Sequence, residues 1–119
     1  MSAPTSGAPV CHLNLARGFR GGERQTEILI RALAGRVRTQ HLVTRAETRL
    51  GQRLEGTPGV AVTVVRDRFG ALAATSGAAL VHAHETWGAQ VACVRRALSG
   101  TPYIVTRRVD KRPRANLFT

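Results

Sequence analysis

VCHLNLARGFRGGERQTEILIRALAG, residues Val10 to Gly35, reads as strand, glycine loop and helix. Cys11, Leu13 and Leu15 alternate through a short run with the texture of a sheet strand. Gly18, Gly21 and Gly22 interrupt it. A helical pattern follows at once: Ile30, Leu33 and Ala34 recur, with Thr26 and Ile28 to Leu29 behind them, and Gly35 supplies a left-handed stop. The glycines therefore stand against a helix N-terminus. Such an end presents about four unpaired N–H groups and roughly half a positive charge, which suits an anionic group approaching the backbone. The spacing G-x-x-G-G lacks both the G-x-G-x-x-G dinucleotide pattern and the Lys-Ser/Thr ending of a Walker A loop. By spacing alone, a tight strand-to-helix turn and a phosphate loop remain equal readings.

The same alternation continues along the chain. Thr39 to Thr44 (TQHLVT) is a second strand, and a helix is expected from Ala46. On that helix Arg45, Arg49 and Arg53 would fall at i, i+4 and i+8 as one basic row beside Ala46, Leu50 and Leu54. A solvated face is its ordinary explanation; contact with anionic lipid headgroups is the sharper one. Gly56 to Gly59, with Pro58, turn into a third strand, Val60 to Val65. Phe69 to Ala74 is a short helical crossover, Ala79 to Ala83 a strand, Trp87 to Leu98 a helix ended by Ser99-Gly100, and Tyr103 to Val105 a fifth strand. Five strands alternating with helices predict an α/β fold. It should be an open parallel sheet in the order 3-2-1-4-5 with helices on both faces. Ligands of such sheets bind at the carboxyl ends of the strands.

Composition narrows the class. The 119 residues allow one domain, with residues 1–9 as a loose lead and 10–119 as the folded unit; 43% hydrophobic residues indicate an aliphatic core. Cys11 and Cys93 are too few for a disulfide framework, and MSAPTSGAP lacks the basic and apolar parts of an export signal, so a cytoplasmic setting is expected. The net charge of +11 comes almost wholly from arginine, with Lys111 the one lysine. Arginine binds phosphate bidentately, but net charge does not choose between phosphorylated small molecules, membranes and nucleic acid. No nucleic-acid reader motif is present and the aromatic residues are scattered, so no nucleic acid is expected as partner.

Three stretches together resemble the N-terminal, acceptor-side domain of bacterial family 4 glycosyltransferases of the GT-B fold. LNLARGFRGGERQTEILIRALA is similar to that family's first strand, Gly-Gly loop and long helix. LVHAHE, Leu80 to Glu85, is similar to its fourth-strand motif, and TPYIVTRR, Thr101 to Arg108, to its fifth strand. The resemblance implies retaining transfer of a sugar from a nucleotide-sugar donor to a saccharide or a lipid-linked, lipopolysaccharide-type acceptor, with no cofactor and no metal. It implies that Gly21 and Gly22 approach the donor phosphates, that His84 faces the reaction centre, and that Glu85, Arg107 and Arg108 serve the acceptor. Arg107 and Arg108 depart from the Thr-x-His type sequence common in relatives, and an anionic acceptor would suit them. The family's second domain, with its paired glutamates, has no counterpart in these residues, so the chain by itself is expected to be inactive. A phosphate- or nucleotide-binding module of other chemistry is the alternative, with a basic nucleic-acid-binding domain behind it.

Period-two alternation also puts His82 and His84 on one strand face. A metal pair there is set aside, because a third ligand is lacking unless His12 joins from a neighbouring strand.

Overall fold

The computed structural model describes residues 9–16, 21–37, 39–45 and 49–106. The chain runs β1 (Val10–Asn14), α1 (Gly21–Leu33), β2 (Gln40–Arg45), α2 (Leu50–Leu54), β3 (Val60–Val65), α3 (Arg68–Ala74), β4 (Leu80–Ala83), α4 (Thr86–Ser99) and β5 (Tyr103–Val105). The strands form one sheet ordered β3-β2-β1-β4-β5, and every neighbouring pair is parallel. This is the sheet expected from the alternation. Progress from β1 to β3 runs one way and the return to β4 reverses it, so right-handed crossovers must change faces at α3.

Packing follows that change. On one face Cys11, Leu13, Val43, Val65, Val81 and Ala83 meet Ala71 of α3 and Val91 and Ala92 of α4. On the other, Leu42 meets Ile30 of α1 and Leu50 and Leu54 of α2, flanked by Val60 and Val62. The second face is polar over β1. His12, Asn14, Gln40 and Thr44 are buried there, and α1 answers with polar side chains of its own. Asn14 Nδ2 donates to Thr26 Oγ1 at 3.0 Å, and Gln40 Nε2 donates to the Ile30 carbonyl at 2.9 Å.

Ile30 and Thr26, both in the helical pattern expected for α1, are buried, and two glutamates complete their row. The buried row of α1 is Glu23, Thr26, Glu27 and Ile30, whereas Ile28 is 54% exposed. Polar partners on the sheet select a polar helix face here. The basic row expected at Arg45, Arg49 and Arg53 is the correction: it does not form on one helix, because Arg45 belongs to β2 and α2 spans only Leu50–Leu54, with Arg49 as its N-cap residue. Arg53 is committed to Glu27: its Nε donates to Glu27 Oε1 at 2.8 Å, while Arg31 Nε donates to Oε2 at 2.9 Å. The Arg53 hydrogen bond is the chief cause that holds the Glu27 carboxyl below its ordinary pKa. This pairing ties α1 to α2.

At α4, Glu85 caps the N-terminus. Gly100 closes the helix in the left-handed region, φ 75°, as the Ser99-Gly100 pair leads one to expect. No helix among the described residues is long and apolar enough to cross a membrane. Cys11 is buried and Cys93 exposed, both as free thiols; burial pushes the Cys11 thiol up to about 12.

Candidate functional site

All strands of a parallel sheet present their carboxyl ends on one edge, and here that edge carries a basic cavity of about 460 Å³. Leu15 and Ala16, leaving β1, line it together with Arg45 from the end of β2, the Arg66-Asp67-Arg68 turn after β3, and Trp87 of α4. Local structure explains each placement. Asp67 caps α3, accepting the Gly70 N–H at 2.8 Å, and this holds its two arginine neighbours at the start of the helix. Arg68 is doubly held: its guanidinium carbon lies 4.4 Å from the Trp87 ring centroid, and its Nη1 donates to Gln90 Oε1 at 2.7 Å. Trp87 remains 50% exposed. Three guanidinium groups, one capping carboxylate and a half-exposed indole that Arg68 overlies can receive an anionic ligand with a partly apolar body. A second cavity of about 460 Å³, between Pro9, His41 and Gly59 at the amino ends, has no cationic side chain in its lining beyond what His41 could carry.

The residues expected from sequence are distributed as follows. Gly21 and Gly22 form the first turn of α1 rather than a free loop. Gly18 lies outside the described residues, as do Arg107 and Arg108. His84 follows β4 at the carboxyl-end edge, where its backbone N–H donates to the Leu13 carbonyl at 2.9 Å; the residue is 4% exposed. Glu85 is engaged by three backbone amides. Its Oε1 accepts from Leu15 N–H at 2.8 Å and from Gly88 N–H at 2.7 Å, and its Oε2 accepts from Trp87 N–H at 2.7 Å. The carboxylate thus fixes α4 against β1, beside the cavity.

Arg45, Arg66, Arg68 and Trp87 were not legible as a group, since they come from three separate turns of the chain. The available signal is a basic residue directly at the exit of two consecutive strands, TQHLVTR and VAVTVVR.

Behind the edge lies a histidine cluster. β1 and β4 pair with His12 opposite His82, which supplies the third histidine that His82 and His84 lack in sequence. His12 Nε2 is 2.9 Å from Gln40 Oε1, and its Nδ1 is 3.1 Å from His84 Nε2. Gln40 Nε2 donates to the Ile30 carbonyl, so its oxygen faces His12 and the network assigns the hydrogen of His12 to Nε2. His12 Nδ1 then accepts from His84. Burial lowers the pKa of His12 to about 4, opposed by the Gln40 hydrogen bond and assisted by His82. The rings of His82 and His84 stack at 4.0 Å between centroids, and His82 Nε2 meets Thr106 Oγ1 at 2.5 Å.

Compared with protein-family models, with curated proteins and with solved structures, the chain matches none of them.

Proposed function

We propose that this chain is the acceptor-side wall of a retaining glycosyltransferase. The sugar comes from a nucleotide-sugar donor, and the acceptor is an anionic saccharide or a lipid-linked saccharide at the cytoplasmic face of a membrane. The observation that carries the reading is the cavity lined by Arg45, Arg66, Arg68 and Trp87 at the carboxyl ends of the strands. Guanidinium groups there bind phosphate oxygens in bidentate fashion, and Trp87 offers its face to the apolar side of a sugar ring. Donor diphosphate meets the amides of the Gly21-Gly22 turn at the start of α1, where backbone N–H groups stabilise charge developing on the leaving group. His84 supports the carboxyl-end edge from behind.

Transfer requires the donor to be held against the acceptor, and positioning supplies about 7 to 11 kcal/mol of such a barrier. One wall does not provide it. The test is a donor-consumption assay with a phosphorylated saccharide, on Met1 to Thr119 and on the same chain joined to a donor-binding α/β domain. Turnover is expected only from the joined protein, with a reduced rate in its Gly22→Val variant. Robust turnover by the 119-residue chain alone, or an unchanged rate in Gly22→Val, would overturn the reading. A nucleotide-binding module of other chemistry draws support from the same exposed Trp87, which a base could stack on; a nucleoside monophosphate that binds more tightly than a sugar phosphate would favour it.

A further inference from the structure

We propose that His12, His82 and His84 form a binding site for a borderline divalent cation of the zinc class, set in the centre of the sheet between β1 and β4. The inference does not rest on the glycosyltransferase reading, with which it shares only His84.

Three observations carry it. The ligand nitrogens of the three rings lie within 4.8 Å of one another. A tetrahedral zinc with Zn–N bonds of about 2.0 to 2.1 Å brings its ligand nitrogens to about 3.3 Å apart. His12 Nδ1 and His84 Nε2 are already 3.1 Å apart, so the remaining closure falls to His82, the half-buried ring of the three. Second, Gln40 orients His12 from behind. By taking the Nε2 hydrogen at 2.9 Å it turns the Nδ1 lone pair toward the other two rings, which is how outer partners of metal-ligating histidines fix their tautomer. Third, the scaffold is rigid: His12 and His82 are register partners on adjacent parallel strands, and His84 is pinned by its backbone bond to Leu13.

The donor set selects the cation. Three imidazoles without a carboxylate suit zinc, nickel or copper and offer nothing to magnesium or calcium, which take oxygen ligands. His84 gives up its hydrogen bond to His12 and coordinates through Nε2 as the Nδ1–H tautomer, so the hydrogen moves between its own nitrogens. A fourth position stays open for water or an anion. The bound cation would hold β1 to β4 and raise stability with the logarithm of its free concentration once that exceeds Kd.

The experiment uses the whole chain, without an affinity tag, stripped with a chelator and titrated with zinc chloride and with cobalt(II). One equivalent should bind, with visible bands of tetrahedral nitrogen-ligated cobalt and a zinc-dependent rise in Tm. His82→Ala should weaken binding at least about tenfold. His41→Ala is the control, since His41 lies elsewhere, with its Nε2 2.6 Å from Thr63 Oγ1, and it should leave binding unchanged. Should His82→Ala not fold, imidazole ¹⁵N shifts of the wild-type protein decide: zinc should move the resonances of His12, His82 and His84 and leave His41 in place. Absence of binding by the wild type, unchanged affinity in His82→Ala, or zinc shifts confined to His41 would overturn the proposal.

Discussion

Glu85 Oε1 accepts the backbone N–H of Leu15 at 2.8 Å, joining the exit of β1 to the first turn of α4. The same oxygen takes the Gly88 N–H at 2.7 Å, and both Leu15 and Trp87 line the basic cavity. Glu85→Ala should therefore act twice, removing a helix cap worth about 0.5 to 2 kcal/mol and leaving the buried Leu15 N–H without its acceptor at about 1 to 3 kcal/mol. Glu85→Gln keeps an oxygen for Leu15 and Gly88 and should lose less. Urea denaturation checks the order; equal stability of wild type and Glu85→Ala would remove Glu85 from this role.

Gly88 should resist substitution although it sits inside a helix. A Cβ there would lie 2.7 Å from Glu85 Oε1 and 3.1 Å from both the Cβ and the carbonyl oxygen of Leu13. The carboxylate is fixed by three N–H groups and the carbonyl is sheet backbone, so neither yields cheaply. Ala is the better helix former by about 1 kcal/mol, yet overpacking of this kind costs about 1 to 3 kcal/mol. We expect Gly88→Ala to lower the urea midpoint at an unchanged m-value, and a raised midpoint would show that the α4–β1 contact has room.

The sheet order was legible because each strand is a short apolar run and each helix separates two of them, from Val10 to Val105. The inner face of α1 was legible only in part. Apolar periodicity points to Ile30, Leu33 and Ala34 with Thr26 behind them, and Ile30 and Thr26 are buried; but the sheet face beneath holds His12, Asn14 and Gln40, so burial also takes Glu23 and Glu27 while Leu33 and Ala34 stay half-buried. A hydrophobicity pattern cannot register polar residues that bury one another. The cavity was hidden for a different reason: Arg45, Arg66 and Trp87 meet only through the register of three strands and the cap at Glu85. The histidine cluster was half legible, His82 and His84 from their spacing and His12 only from the pairing of β1 with β4.

Glu27 gives the fold an acid limit. Its carboxyl titrates below its ordinary range, chiefly through the Arg53 hydrogen bond, so the folded state binds fewer protons than the unfolded one in that window. The contribution is therefore complete above the unfolded value of about 4.3 and is lost as pH falls through the lowered folded value. Arg31 and Arg53 are about half exposed, which limits the cost of Glu27→Gln at pH 7 to about 1 to 2 kcal/mol. Stability measured against pH should show that deficit at neutrality and its decline below about pH 4; a constant deficit across the range would argue against the ionised pair as its source.

Binding in the cavity should depend on charge at Arg66. Removing one guanidinium from an anion site costs about 1.5 to 3 kcal/mol, which corresponds to a loss of about tenfold or more in affinity for a phosphorylated saccharide. Raising the salt concentration should weaken wild-type binding and narrow its difference from Arg66→Ala. Isothermal titration at two ionic strengths checks both, and equal affinities for wild type and Arg66→Ala at low salt would take Arg66 out of the site.

Trp87 is the single tryptophan of the chain, and it is half exposed inside the proposed acceptor cavity. Its fluorescence therefore reads ligand occupancy directly. We expect a saturable change on titration with a hexose phosphate at low salt, with a Kd of about millimolar. Little change should follow from the same hexose without phosphate, and Arg66→Ala should shift the midpoint upward. Identical responses to the phosphorylated and the neutral sugar, or no response to either, would contradict the assignment of this edge as an anionic acceptor site.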